Sequence, residues 1–304
     1  MPSLAAAQAP PRRIGWIELS ASSDKYAAFG QEIAGIGLFD GQAPSLVYRS
    51  GDGGLERLSA VAAELARIPV DVLVAPGVAE ALAAKNATKS LPIVMAGVDD
   101  PVARGLVSSL ARPGRNVTGI ARVGRDLYAG LLAVMRELGP NVLRAAVLSV
   151  ADDADHRLAV ADLRAAARKL GVSLNAIDVR EYTDVEPAFN AIKRQGHRAV
   201  IVPASTMLVP RWIADLALTH GLVLASTSAD YANEGGAIAY TDDWPALLKR
   251  VATFVDRILK GAKPADLPVE VPAKFKLIVN ARTARSLKLT IPPAVLRRAD
   301  TVIG

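Results

Sequence analysis

Three aspartates, Asp152, Asp153 and Asp155, crowd one short loop after an apolar run. Carboxylates so close together can hold a cation or share acid and base roles. The same residues stand where a helix begins, and aspartate there caps free N–H groups and complements the helix dipole. The chain has only three histidines. His156 opens that same helix, His197 falls in a turn before a strand, and His220 ends a helix, where a cation is favoured. None has the neighbours that a catalytic triad requires. No Gly-x-Ser-x-Gly elbow and no His-Glu-x-x-His pair occurs. Cysteine is absent, which removes thiolate catalysis, Cys-held metal and disulfides. Gly51-Asp52-Gly53-Gly54 lies between a strand and a helix but lacks the spacing of a dinucleotide fingerprint or a phosphate loop, and reads as a turn. Asn116-Val117-Thr118 fits the N-glycosylation pattern yet runs straight into a strand, a structural reading. The expectation is a protein without catalytic residues, metal or cofactor.

The elements that position these residues follow a β-α rhythm. Short apolar runs at 13–19, 45–49, 70–75, 92–96 and 117–121, then at 144–150, 172–179, 198–203 and 222–226, read as strands. The runs at 70–75 and 199–202 are continuously apolar, as in parallel strands covered on both faces. Between them, apolar residues recur at helical spacing, for example Leu55, Leu58, Val61, Ala62 and Leu65. The longest helical pattern covers 243–260 and stops at Gly261. Residues 13–121 and 144–226 thus form two halves alike in plan. A tail follows, with strands at 237–240 and 275–280 and two short helices, so the chain is expected to cross between lobes more than once. The predicted lobes are 12–121 plus about 236–268, and 122–235 plus about 269–304. Open parallel sheets bind ligands beyond the carboxyl ends of their strands, where this sequence places small and polar residues, and helix N-termini there favour anions.

Composition sets outer bounds. The 304 residues suffice for two domains, 51% are hydrophobic, and aromatics make up only 5%, a mix suited to helix-on-sheet layers. No apolar run reaches the ~18 residues of a spanning helix. The net charge of +6 comes from 36 basic and 30 acidic residues that are scattered rather than clustered, which argues against a nucleic-acid partner. Residues 1–11 read MPSLAAAQAPP. Their Ala7-Gln8-Ala9 suits the end of a secretory signal peptide truncated at its start, or the stretch is a disordered tail.

Several segments resemble one family of ABC transporter substrate-binding proteins, which includes tryptophan- and tyrosine-binding members. They are Pro92-Ile-Val-Met-Ala96, Asp100-Pro-Val-Ala103, Gly105-Leu-Val107, Ser109-Leu-Ala-Arg-Pro-Gly114 and Asn116-Val-Thr-Gly119. Further matches are Ala81-Leu-Ala-Ala-Lys-Asn-Ala-Thr88, Glu234-Gly-Gly236, the stretch from Asp256 to Pro268, and Leu289-Thr-Ile-Pro-Pro293. The resemblance implies a type I periplasmic-binding-protein fold, with two Rossmann-like lobes, parallel sheets and a multi-strand hinge. It also implies a periplasmic monomer that binds a small molecule in the cleft and docks on a membrane permease. The sequence departs from the family at Leu19–Asp24, Val150–Asp153, Ala204–Leu208 and Tyr240–Asp243, all near the ligand loops.

The expected ligand contacts are Ser22, Ser23, Gly77, Val78 and Asp99 from the first lobe. Asp152, Ser205, Thr206, Thr227 and Ser228 would face them from the second. Tyr240 is expected to pack on an apolar or aromatic part of the ligand, and Asp99 or Asp230 to take a cationic amine. An amino acid or small aromatic carboxylate fits this set. Two other readings carry less of the sequence. A LacI-like regulator requires a DNA-binding segment before the first strand, and an α/β enzyme requires the machinery missing above.

Overall fold

The computed structural model describes residues 11–20, 23–36, 43–122, 124–203, 208–271 and 274–304. The chain divides into two compact units, residues 1–123 with 244–273, and residues 124–243 with 274–304. The first unit opens with β1 (Arg13–Glu18), α1 (Ser23–Ile36), β2 (Ser45–Ser50), α2 (Leu55–Leu65) and β3 (Val72–Ala75). It continues with α3 (Val78–Ala87), β4 (Ile93–Asp99) and β5 (Val117–Arg122). The five strands are all parallel, in the order β2-β1-β3-β4-β5.

The second unit holds α4 (Gly124–Glu137), β6 (Arg144–Val150), α5 (Ala154–Leu170), β7 (Ser173–Val179), α6 (Tyr182–Arg194) and β8 (Ala199–Val202). Then come α7 (Pro210–Thr219), β9 (Val223–Ser226), α8 (Ala229–Asn233) and β10 (Ile238–Asp242). Helix α9 (Trp244–Leu259) belongs to the first unit, and β11 (Phe275–Asn280), α10 (Ala281–Ser286), α11 (Pro293–Arg298) and β12 (Thr301–Ile303) return to the second. The second sheet runs β12-β11-β10-β9-β8-β6-β7. Strands β7-β6-β8-β9-β10 repeat the order of the first sheet, and β11 is then added antiparallel. The expected parallel sheets are therefore mostly parallel, with one antiparallel pairing in the tail.

Alternation along the strands splits each core in two. In the first unit Trp16, Val74 and Val94 face Phe29 of α1 and Val251 of α9. Ile17, Leu73 and Ile93 point the other way, onto Leu58 of α2 and Ala81 of α3. In the second unit Val147 and Ile201 pack with Leu131 of α4 and Leu163 of α5. Leu148 and Val200 pack with Phe189 of α6 and Ile213 of α7. Strands β3 and β8 are buried throughout, as their unbroken apolar runs require.

The crossings differ from the expected 236 and 269. Strand β10 pairs with β9 and β11, so the chain stays in the second unit until 243. Glu270 exchanges backbone hydrogen bonds with Gly119 and Ala121 of β5, at 3.0 and 2.8 Å, which holds this segment in the first unit. Strand β12 was not expected. Its three residues, Thr301–Ile303, are too few to show a period of two.

Candidate functional site

In a sheet of order 2-1-3-4-5 the crevice opens where the chain direction across the sheet reverses. In the first unit that point lies between β1 and β3. Gly77 and Val78 follow β3 after Pro76, with Gly77 before the first turn of α3 and Val78 inside it. Gly77 has φ +143°, and a Cβ there would stand 2.5 Å from Oε2 of Glu80. A side chain there would be strained by the positive φ and would have to displace the Glu80 carboxylate. Glu80 is 8% exposed, and its Oε1 accepts the Leu19 N–H at 2.9 Å. One carboxylate thus ties the loop after β1 to the loop after β3.

Two strands end nearby in acidic residues. Glu18 closes β1, is 5% exposed, and its Oε2 accepts from Trp16 Nε1 at 3.4 Å and from the Tyr48 hydroxyl at 3.3 Å. Asp99 closes β4 after a bulge at Gly97. Its Oδ2 is held by Arg122, with Nε at 3.0 Å and a second, shorter bond from the same guanidinium. Oδ1 is buried and takes no hydrogen bond among the described residues. Trp244 packs close to Gly97, where a Cβ would come within 3.4 Å of its ring, and Lys25 Nζ sits 4.3 Å from the ring centroid. The first unit therefore gathers carboxylates, an oriented guanidinium and an aromatic ring at the carboxyl ends of its strands.

In the second unit the corresponding point lies between β6 and β8. Asp152 is exposed in the turn after β6. Asp153 caps α5, its carboxylate accepting from the N–H groups of Asp155 and His156 at 2.8 and 3.1 Å, a contact worth about 1 kcal/mol. Thr227 is buried after β9. Ser228 caps α8, accepts weakly from the Asp230 N–H at 3.3 Å, and donates its hydroxyl to Asp230 Oδ2 at 3.0 Å. These three form one local group. Tyr240 stands inside β10 rather than at a strand end. Its ring packs 5.5 Å from Phe275 and fills the space over Gly130 of α4, where a Cβ would lie 2.2 Å from the ring. Burial pushes its hydroxyl pKa up. Ser22, Ser205 and Thr206, like the 1–10 tail, lie outside the described residues, and Ser23 begins α1.

The histidines have structural surroundings. His156 is 1% exposed and its Nδ1 accepts the Val150 N–H at 3.0 Å. His220 Nδ1 lies 2.9 Å from the Leu216 carbonyl. His197 is 5% exposed. Burial lowers its pKa, Arg144's backbone opposes that shift and the Arg144 charge adds to it. Below its ordinary pKa of about 6.5, the unfolded chain takes up the proton before the folded one does. Stability should therefore be full above that pH and fall as pH drops through it toward the folded value. Thermal melts of wild type and His197→Gln across that range should show a steeper decline for wild type. Equal slopes would rule His197 out as the source.

Glu18, Glu80, Arg122 and Trp244 were not singled out in the sequence. Two signals pointed to the acids: Glu18 interrupts an apolar strand, and Glu80 stands three residues after a glycine N-cap. Arg122 and Trp244 carry no local pattern.

Two α/β units of the same strand order, with polar loops beyond the carboxyl ends of their strands and the chain passing three times between them, define a type I periplasmic-binding-protein fold. The family model described as ABC transporter substrate binding protein matches residues 15–303, and the chain belongs to that family. A tyrosine-binding protein of Clostridioides difficile is 22% identical over 258 residues, covering 83% of this chain and 73% of the relative. A Streptococcus pneumoniae ABC-domain structure in complex with L-Trp superposes with TM-score 0.83 at 23% identity, covering 95% of this chain and 100% of the other. A conserved domain protein of Vibrio cholerae gives TM-score 0.82 at 25% identity, over 96% and 100%. Members of the family are substrate-binding rather than catalytic proteins and work in general outside the cytoplasm. No helix among the described residues is long and apolar enough to cross a membrane.

Proposed function

We propose that this chain is the monomeric solute-binding subunit of a bacterial ABC importer, acting in the periplasm. In this reading it captures an amino acid, with an aromatic side chain favoured, between the loop sets of its two units by hinge closure, and delivers it to the membrane permease. The observation that carries the ligand class is Asp99. Its carboxylate is fixed through Oδ2 by Arg122 while the buried Oδ1 keeps an acceptor site, and a buried acceptor gains from a cationic donor. The pairing of Asp99 with Arg122 was not expected; it orients the carboxylate without using its second oxygen. Ser23, Gly77 and Val78 of the first unit and Thr227 and Ser228 of the second supply polar contacts and helix N-termini for the ligand carboxylate, while Asp230 is a second acceptor for the amine and Asp152 a further polar contact. Trp244 offers a ring for stacking, a role that Tyr240, engaged with Phe275, was expected to fill.

The test is a thermal-shift and calorimetric series with L-tyrosine, L-tryptophan and their analogues lacking the amine. A ligand at ~100 times its Kd should stabilise the protein by roughly 2.7 kcal/mol, and small-angle scattering should show compaction. Asp99→Asn should weaken the amino acids at least about tenfold, ~1.4 kcal/mol, and leave the amine-free analogues unchanged. Equal loss for both series would remove Asp99 from amine recognition. Turnover of a bound compound would overturn the binding reading itself.

A further inference from the structure

The opposite edge of the first sheet carries a feature that solute capture does not use. A depression of about 410 Å³ is lined by Lys85, Lys89, Ser90, Arg115, Asn116 and the Lys263–Ala265 turn. Ser90 precedes β4, Arg115 and Asn116 precede β5, and Lys85 lies in the last turn of α3. The depression is thus at the amino ends of the strands, away from Gly77, Val78 and Asp99. Asn116 builds its floor, with Nδ2 donating to the Leu91 and Thr88 carbonyls at 2.8 and 3.3 Å. Four cationic side chains line it and no carboxylate does. None of the four forms an ion pair among the described residues. Lys85 is tied to the Gly105 carbonyl, which leaves Lys89, Arg115 and Lys263 exposed around the rim. Burial first, then repulsion from Arg115 and Lys89, lowers the Lys85 pKa. Lys85, Lys89 and Arg115 are therefore close enough to act on one another.

Like charges gathered in a concavity without counter-charges focus a positive potential there. A compact anion of more than one charge relieves that repulsion best. Arginine grips phosphate oxygens with its fork, and lysines add point charges around it. Ser90 adds a hydroxyl. We propose that this depression binds a phosphate-class oxyanion, either free phosphate or pyrophosphate or the phosphate of an acidic lipid headgroup. Attraction through partly exposed charges weakens with salt, so binding should fall as ionic strength rises.

The test uses the full chain in phosphate-free, low-salt buffer, titrated with pyrophosphate by calorimetry and sedimented with phosphatidylglycerol-containing or pure phosphatidylcholine vesicles. Three proteins are compared: wild type, Arg115→Gln/Lys263→Gln, and Arg168→Gln/Lys169→Gln. The last pair is exposed at the end of α5 in the second unit and removes the same charge. Wild type should bind pyrophosphate, acidic vesicles or both, and the first double variant should lose at least about tenfold while the second does not. Binding to pyrophosphate alone assigns a free oxyanion, and binding to acidic vesicles alone assigns a headgroup. No binding to either, or equal loss in both double variants, overturns the proposal. Matching melting temperatures for the three proteins show that folding is not the cause.

Discussion

Replacing Gly119 with alanine should destabilise the first unit by about 4 kcal/mol, enough to unfold many proteins of ordinary stability. Gly119 lies in the middle of β5 with φ +127°, a conformation that L residues rarely adopt. A Cβ there would stand 2.3 Å from the Met95 carbonyl oxygen and 2.5 Å from the Met95 nitrogen. Both atoms belong to the neighbouring backbone, and β4 pairs Met95 with Gly119 directly. No rotamer change can relieve such a contact, so the two strands must shift. The Glu270 segment, which donates its N–H to the Gly119 carbonyl at 3.0 Å, would shift with them. Arg122 lies three residues on and holds Asp99, so the acceptor geometry proposed for the ligand amine should loosen as well. Urea denaturation followed by tryptophan fluorescence reports mainly on this unit, because Trp16 and Trp244 belong to it and Trp212 does not. Gly35→Ala is the control. Nothing lies within 4 Å of its added Cβ on α1, and alanine in a helix gains up to about 1 kcal/mol over glycine. A Gly119→Ala loss no larger than ~1 kcal/mol would show that the strands accommodate the methyl group.

Trp16→Ala should cost about 3–5 kcal/mol, the range for removing a fully buried aromatic side chain. Trp16 is 0% exposed and sits beneath α1. Its ring centroid is 5.0 Å from Phe29 and 6.0 Å from Tyr26, the latter edge-on. The indole also donates to Glu18 at 3.4 Å, so its loss weakens the support of a buried carboxylate at the end of β1. Trp16→Phe keeps a ring beside Phe29 and Tyr26 but loses the donor and part of the indole's volume, and should still cost less than Trp16→Ala. Melting followed by circular dichroism avoids the missing fluorophore. Equal losses for Ala and Phe would mean that the indole's own volume and its Glu18 hydrogen bond, rather than the aromatic contacts that Phe keeps, carry the stabilisation.

Much of this protein was legible along the chain. Apolar runs at 144–150 and 275–280 coincide with β6 and β11, and the stripe from Leu55 to Leu65 is α2. Asp153 caps its helix and Gly171 ends it in the left-handed conformation, as their types and positions require. Family membership was also readable, because its motifs are contiguous in sequence. These features depend on neighbours within a few residues, which is the range over which backbone preference and side-chain period operate.

Strand order, the antiparallel turn of β11, and the crossings at 243 and 273 depend on pairing between segments far apart in the chain. So do the contacts that decide individual roles. Arg122 reaches Asp99 across 23 residues and Glu80 reaches Leu19 across 61. Tyr240 was expected to pack on a ligand, and its ring lies against Gly130 and Phe275. The sequence alone determined the family, the loops that follow the main strands and the elements other than β12. Only the tertiary structure decided which of those loops share a sheet edge, which carboxylate keeps an unused oxygen, and which lysines gather without a counter-charge. Hydrogen-bond geometry and charge act through space, and local residue patterns hold no record of distances that folding alone creates.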